Sequence, residues 1–271
     1  MSQIEKLEAT WELKRVKRKK LPPRVVIIGE PKIGKSTVAS NAPKCVFIPT
    51  EDGVSGLEVM QLPSDRVCTT WEDVIQALTV LLKTEHDRKW VVLDTIGGVW
   101  DLCAKHVCDR DFAGCWESRK GQEGFNAWAR GDKATAIEFK RLLNGLDKLR
   151  TEKEMGCLLL GHEGLHKFNN TNGEDFQTTG AYMGKASWQL LRAWADQIGH
   201  ACRDYIVTKD QGLGAKGKAV AVNNTRWLIF DGGPGRDAGA RAGYDMPDKI
   251  ELNWSVYSDH LSKNFKKSGD K

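Results

Sequence analysis

The sequence predicts an α/β fold with a mostly parallel central sheet flanked by helices. Three observations predict it. Short apolar runs alternate with longer stretches of helical periodicity along the 271 residues. A turn rich in glycine and lysine stands directly between the first apolar run and the first helical stretch. Two of the later runs stop at a polar residue, Asp94 and His162, as buried parallel strands do where their carboxyl ends open onto a site.

The first strand is placed at residues 25–28 (VVII), ending at Gly29. Residues 35–41 read as a helix, and residues 45–48 as a second strand. Residues 71–83 are helical, because Val74, Ala77, Leu78, Leu81 and Leu82 recur at three/four spacing on one face. The third strand is 90–93, closed by Asp94. Residues 133–150 make the longest helix, with Ile137, Leu142, Leu143, Leu146 and Leu149 as its apolar stripe. The fourth strand, 157–160, closes at Gly161-His162, and 186–199 is helical. A strand at 205–208 follows. Segments 219–223 and 226–230 flank Asn224-Thr225 and suggest a C-terminal β-hairpin. Residues 231–247, rich in glycine and holding two prolines, form a loop. Segments 109–131 and 164–185 read as long loops, which in a compact domain tend to carry function.

Composition narrows the class. Apolar residues are 40% and charged residues 28%, which excludes a collagen-like or wholly disordered chain. The longest apolar runs are four or five residues, whereas a membrane-spanning helix needs about 20. The N-terminus, MSQIEKLEAT, lacks the apolar stretch of a secretory signal. Seven cysteines without a C-x-x-C pair read as reduced thiols in a cytoplasmic protein. The net charge of +5 is local: residues 13–24 hold seven cations and no acid, among them Lys17, Arg18, Lys19 and Lys20. Such a patch suits nucleic acid. The organisation expected is a basic leader at 1–23, one domain at 24–255 and a tail at 256–271.

Gly29-Glu30-Pro31-Lys32-Ile33-Gly34-Lys35-Ser36, followed by Thr37, fits G-x-x-x-x-G-K-[ST] in full, after a strand and before a helix. A triphosphate carries about four negative charges and must be held without a covalent bond. Such a loop turns successive backbone N–H groups inward as an anion nest. Gly34 permits close backbone approach, Lys35 brings a point charge to the β/γ-phosphates, and the Ser36 hydroxyl is suited to Mg²⁺. Asp94, at the end of an apolar strand, is the expected second Mg²⁺-orienting group, with Thr95 beside it. Glu51, after the second strand in FIPTEDG, is the candidate general base, with Asp52 as its local competitor. His162 is placed to touch the γ-phosphate and report nucleotide state, with Glu163 as an alternative.

The ordered set GEPKIGKST, FIPTEDG, WVVLDT and LLLGHE resembles the phage-encoded RecA-like ATPases of the AAA_24 nucleotide-binding family, over roughly residues 24–255. That group includes small single-strand annealing ATPases related to RecA and Rad-type recombinases. The resemblance implies a RecA-like P-loop NTPase core in which the Walker A and Walker B strands are not adjacent. It implies ATP with Mg²⁺, and DNA recombination or repair in a phage or prophage setting, hence the cytoplasm of a bacterial host. By the same likeness Glu51 matches the catalytic glutamate. His162 matches the polar residue that couples nucleotide state to DNA binding. Arg236 and Arg241 are the nearest candidates for a charge that reaches a neighbouring subunit's nucleotide.

Other constellations weigh less. Cys103, His106, Cys108 and Cys115 do not share one helix face, so buried or incidental thiols are a better reading than zinc. Thr208-Lys209-Asp210-Gln211 does not supply an Asn-Lys-x-Asp signature, which favours ATP over GTP. Trp116, Arg119, Lys120, Phe125, Trp128 and Arg130 mix aromatics and cations as a single-strand groove requires, and residues 209–218 form a second cationic loop. The expected function is therefore a Mg²⁺-dependent ATPase, homo-oligomeric, that acts on single-stranded DNA in recombination, annealing or repair. The rival is a nucleotide-switched module that recruits a replication or single-strand-binding protein with little turnover.

Overall fold

A computed structural model of the chain describes residues 19–168, 173–208, 218–233 and 235–266. Strands β1 (Arg24–Gly29), β2 (Cys45–Pro49), β3 (Trp90–Asp94) and β4 (Gly156–Phe168) grow from the expected apolar runs. They are followed by β5 (Phe176–Ala181), β6 (Gln197–Thr208), β7 (Lys218–Ile229), β8 (Gly239–Ala240) and β9 (Lys249–Glu251). The helices are α1 (Lys35–Ser40), α2 (Trp71–Lys83), α3 (Ile96–Asp111), α4 (Arg130–Glu152), α5 (Lys185–Trp194) and α6 (Trp254–Lys266).

The sheet runs β2-β3-β4-β1-β6-β7-β9. From β2 to β6 every pairing is parallel, and β7, β8 and β9 add antiparallel edges. β4 therefore separates β1, which feeds the phosphate loop, from β3, which ends in Asp94. The strands that carry the phosphate loop and Asp94 are thus not adjacent, as the resemblance implies. Helices cover both faces, so alternate residues of one strand serve two cores. Val26 and Ile28 pack with α2, α3, α4 and α5, whereas Val25 and Ile27 pack on the side of α1 and α6. Burial on both faces is why these strands read as unbroken apolar runs. The register aligns Gly29 with His162 and Pro49 with Asp94, so the strand ends that carry the candidate residues meet at one edge.

Helix α2 begins with a capping box. Thr70 Oγ1 accepts from the Asp73 amide at 3.1 Å, and the Asp73 carboxylate accepts from the Thr70 amide at 3.1 Å. Replacing Thr70 with alanine is expected to cost about 1 kcal/mol, read as a lower urea midpoint at unchanged slope.

Several expectations change. Helix α3 was not anticipated, because Gly97-Gly98 in its first turn weakens the helical signal. Those glycines answer a close approach: a Cβ on Gly98 would lie 2.2 Å from Thr50 Oγ1. In α4, Ile137 is 78% exposed rather than part of the stripe, and Phe139 is buried instead. Five residues before Leu142, Ile137 is turned about 140° away from it. The helix expected over 186–199 stops at Trp194, where the Asp196 amide bonds Arg24 O at 2.8 Å and draws the chain into the sheet. Segment 164–185 is not one loop: β4 overruns the sheet and pairs with β5 as an antiparallel hairpin. The C-terminal hairpin is formed by β6 and β7, with Asn224-Thr225 inside β7 rather than at a turn. Residues 209–217, most of the second cationic loop, lie outside the described residues. The expected tail begins within α6, which buries Tyr257 and Leu261 in the core.

The opposite edge of the sheet is closed by charge. Asp196, 2% exposed, accepts from Arg24 Nη2 at 2.8 Å and Arg150 Nη2 at 3.0 Å, and Arg150 also reaches the Tyr244 hydroxyl at 2.7 Å.

Candidate nucleotide site

The phosphate loop leaves β1 at Gly29 and turns through two left-handed residues, Lys32 (φ 63°) and Gly34 (φ 107°), before α1 begins. Alternation of this kind points successive amides into one concavity. Gly34 is favoured by its positive φ, which is strained for other residues, and a Cβ there would also sit 2.6 Å from Arg226 Nη1, displacing the end of that side chain. Lys35 is 6% exposed, and its Nζ donates to Gly29 O at 2.9 Å and Glu30 O at 2.8 Å. Burial lowers its pKa, opposed by the charges of Asp94, Glu51, Glu163 and Glu30.

Asp94, at the end of β3, is 2% exposed. Burial raises its carboxyl pKa, opposed by the Ser36 hydroxyl and reinforced by the Glu51 charge. Its Oδ2 is buried without a hydrogen-bond partner among the described residues. That oxygen and Ser36 Oγ face the same small space, lying 3.5 and 3.8 Å from where a Gly53 Cβ would be. An orphaned carboxylate oxygen beside a hydroxyl is the donor pair that Mg²⁺ uses when phosphates and water supply its other ligands. The residues therefore fit Mg²⁺. Among the described residues no three His, Cys, Asp or Glu side chains group as a metal site. Thr50 locks the ends of β2 and β3 together: its hydroxyl accepts from the Thr95 amide at 3.0 Å and donates to Thr95 O at 3.1 Å.

Glu51 and His162 come together across the mouth. His162 Nε2 lies 3.1 Å from Glu51 Oε1, and both line a cavity of about 560 Å³ with residues 34–37, Asp52, Asp94 and Thr95. Pro31 and Lys32 also line it. Gly29 and Glu30 instead turn carbonyls to Lys35, and Ile33 is buried in the core. Glu163 points elsewhere, to His200 Nε2 at 3.1 Å.

A model of the family described as an AAA domain, AAA_24, matches residues 21–242. The chain belongs to that family. No curated protein matches the chain. Among solved structures, the crystal structure of the RadB recombinase is similar at 11% identity and a TM-score of 0.41, covering 77% of this chain and 81% of that one.

One lining residue of this AAA domain escaped the sequence reading. Arg226, on β7, donates from Nη1 to Ile33 O at 3.1 Å and forms part of the cavity wall. Its only sequence signal is a lone cation at the head of an apolar run. The two other arginines stand differently. Arg241 binds Ala193 O at 2.6 Å and Asp196 at 3.5 Å, beside the start of β6 and away from the phosphate loop. Arg236 pairs through its backbone with Gly233; burial lowers the His200 pKa against the opposing Glu163 carboxylate, and the Arg236 charge adds a lesser push in the same direction as burial.

The expected DNA-contacting residues are scattered. Lys17 and Arg18 lie outside the described residues. Lys19 pairs with Glu154, and Lys20 donates to Asn264 O at 3.1 Å while sitting over the Tyr244 and Phe265 rings. Both precede β1, whereas the phosphate loop follows it. In segment 109–131, Phe125 is buried against α3 and Trp116 packs on it, so part of the aromatic content is core. Trp128 is 86% exposed at a left-handed position, next to Arg130, which pairs with Glu123. Arg119 and Lys120 are exposed. No helix among the described residues is long and apolar enough to cross a membrane.

Proposed function

We propose that this chain is a Mg²⁺-dependent ATPase that acts on single-stranded DNA in phage-type recombination, annealing or repair. One observation carries the enzymatic half: Lys35 and Ser36 at the start of α1, Glu51 after β2, Asp94 at the end of β3 and His162 within β4 surround one cavity. In this reading the loop amides and Lys35 hold the β/γ-phosphates. Ser36 and the unpartnered Asp94 Oδ2 hold Mg²⁺, which neutralises phosphate charge when bound. Glu51 takes a proton from the attacking water. His162, bonded to Glu51, senses whether the γ-phosphate is present and passes that state along β4 into the β4–β5 hairpin. The strand gives a direct mechanical route, since the hairpin continues the same chain beyond His162. A subunit interface formed by a homo-oligomer completes the reading.

The exposed Trp128, with Arg119, Lys120 and Arg130 nearby in sequence, supports the DNA half. An indole free of core packing offers a face on which a base can stack. Trp128→Ala is expected to weaken single-stranded DNA binding about tenfold, read by fluorescence anisotropy at fixed salt. The test of the whole is phosphate release with and without single-stranded DNA. Stimulated turnover supports the proposal, whereas tight ATP binding with no release favours a nucleotide-switched module that recruits a partner.

A further inference from the structure

We propose that Arg226, carried on β7, is a phosphate-contacting residue of this site, so that each chain brings its own arginine to its own nucleotide. The inference rests on the nucleotide reading above and deepens it by naming where the arginine charge comes from. The sequence points to Arg236 and Arg241 for such a charge, aimed at a neighbouring subunit. Neither lines the cavity, whereas Arg226 does, together with Lys32 and Lys35.

Arg226 is already fixed at the phosphate loop. Its Nη1 donates to Ile33 O at 3.1 Å and lies 2.6 Å from where a Gly34 Cβ would be. The guanidinium is also largely uncommitted. That bond uses one of its five N–H groups, and among the described residues no carboxylate pairs with it. Arg24, Arg66 and Arg150, by contrast, each meet a carboxylate at 2.8–3.0 Å. The strand pairing adds an independent sign. Arg203 on β6 stands directly opposite Arg226 in the register. The neighbouring pair on the same face, Ala201 and Leu228, packs into the core on the side of α1, so both arginines belong to the face that carries the loop. Like charges directly opposite each other in a sheet are unfavourable. An anion held at the loop offsets that repulsion. The chemistry also matches: a guanidinium makes two parallel N–H···O bonds to a phosphate, a contact that the point charge of Lys35 does not supply.

The experiment titrates the full chain, with Mg²⁺ present, against ATP and against inorganic tripolyphosphate by calorimetry. Arg226→Lys keeps the charge without the planar fork, and Arg226→Gln keeps a neutral donor for the Ile33 carbonyl. Arg226 is exposed, so both variants are expected to fold as the natural chain does. At low salt Arg226→Gln is expected to bind either ligand at least about tenfold more weakly, and Arg226→Lys about threefold more weakly. Raising the salt from about 0.05 to 0.5 M is expected to shrink the glutamine deficit to about threefold or less, because the lost charge contact is screened. A side chain that only props the loop through Ile33 gives a different result: equal effects in the two variants, or a deficit that salt does not change. Either result would overturn the assignment, as would unaltered binding in both variants. A mixture of Arg226→Gln and Lys35→Ala chains tests the same-chain claim, and tight binding is expected to stay absent from it. Its return would mean that one chain's arginine serves another chain's nucleotide, and would overturn that claim. Failure of the natural chain to bind either ligand would overturn the nucleotide reading itself.

Discussion

Lys35→Ala is expected to reduce ATP turnover by about 10²–10³-fold, with weaker ATP binding and little change in the fold. The reason lies in the charges around it. Asp94, Glu51, Glu163 and Glu30 all act on this ammonium. Without Lys35, a polyphosphate entering the cavity would meet Asp94 and Glu51 with no buried cation beside them, since Lys32 and Arg226 in the same lining are exposed. The ammonium now donates to two loop carbonyls, Gly29 O and Glu30 O. It is therefore already aimed at the loop interior and has little to reorganise when a phosphate arrives. Arginine is not expected to rescue the loss, because its planar fork is larger and cannot occupy a site shaped for a compact point charge. Phosphate release measured beside the thermal midpoint separates the two effects. Turnover at the natural level in Lys35→Ala, with an intact fold, would remove the enzymatic half of the proposal.

The parts of this site that could be read in the sequence are those whose chemistry is local. A loop that must turn its amides inward needs glycines and a lysine at fixed offsets, so residues 29–36 announce themselves. Asp94 and His162 are legible because each ends a run of buried residues, and parallel strands deliver their carboxyl ends to one edge. Arg226 is not legible: its position over Gly34 depends on β7 folding back along β6, a pairing set by residues far away. The second half of β4 is hidden for a related reason. Beyond His162 it leaves the two-sided core, so its residues turn polar and the apolar run that marks a buried strand ends. Helix α3 is masked by the glycines that let it approach Thr50. In each case tertiary contact, rather than local preference, chose the residues.

Glu51→Gln is expected to lower turnover by about 10²–10⁴-fold while ATP affinity stays within a few-fold. The substitution is nearly isosteric, and an amide in place of the carboxylate can still bond His162 Nε2, now 3.1 Å from Glu51 Oε1. The pocket shape and the link to β4 are thus preserved, and what is lost is the oxygen that accepts a proton from water. Asp94 is a poor substitute, since it is buried against Ser36 and suited to the metal. Asp52 lines the same cavity and is the real competitor. Parallel assays of Glu51→Gln and Asp52→Asn decide between them. If Glu51 is the base, the first variant binds ATP and scarcely turns it over, whereas the second keeps most of its rate. The opposite pattern would move the proton acceptor to Asp52 and leave Glu51 as a positioning residue for His162. A chain that binds ATP but is silent before either substitution would belong to the switched-module class, with the Glu51–His162 pair reading nucleotide occupancy rather than driving hydrolysis.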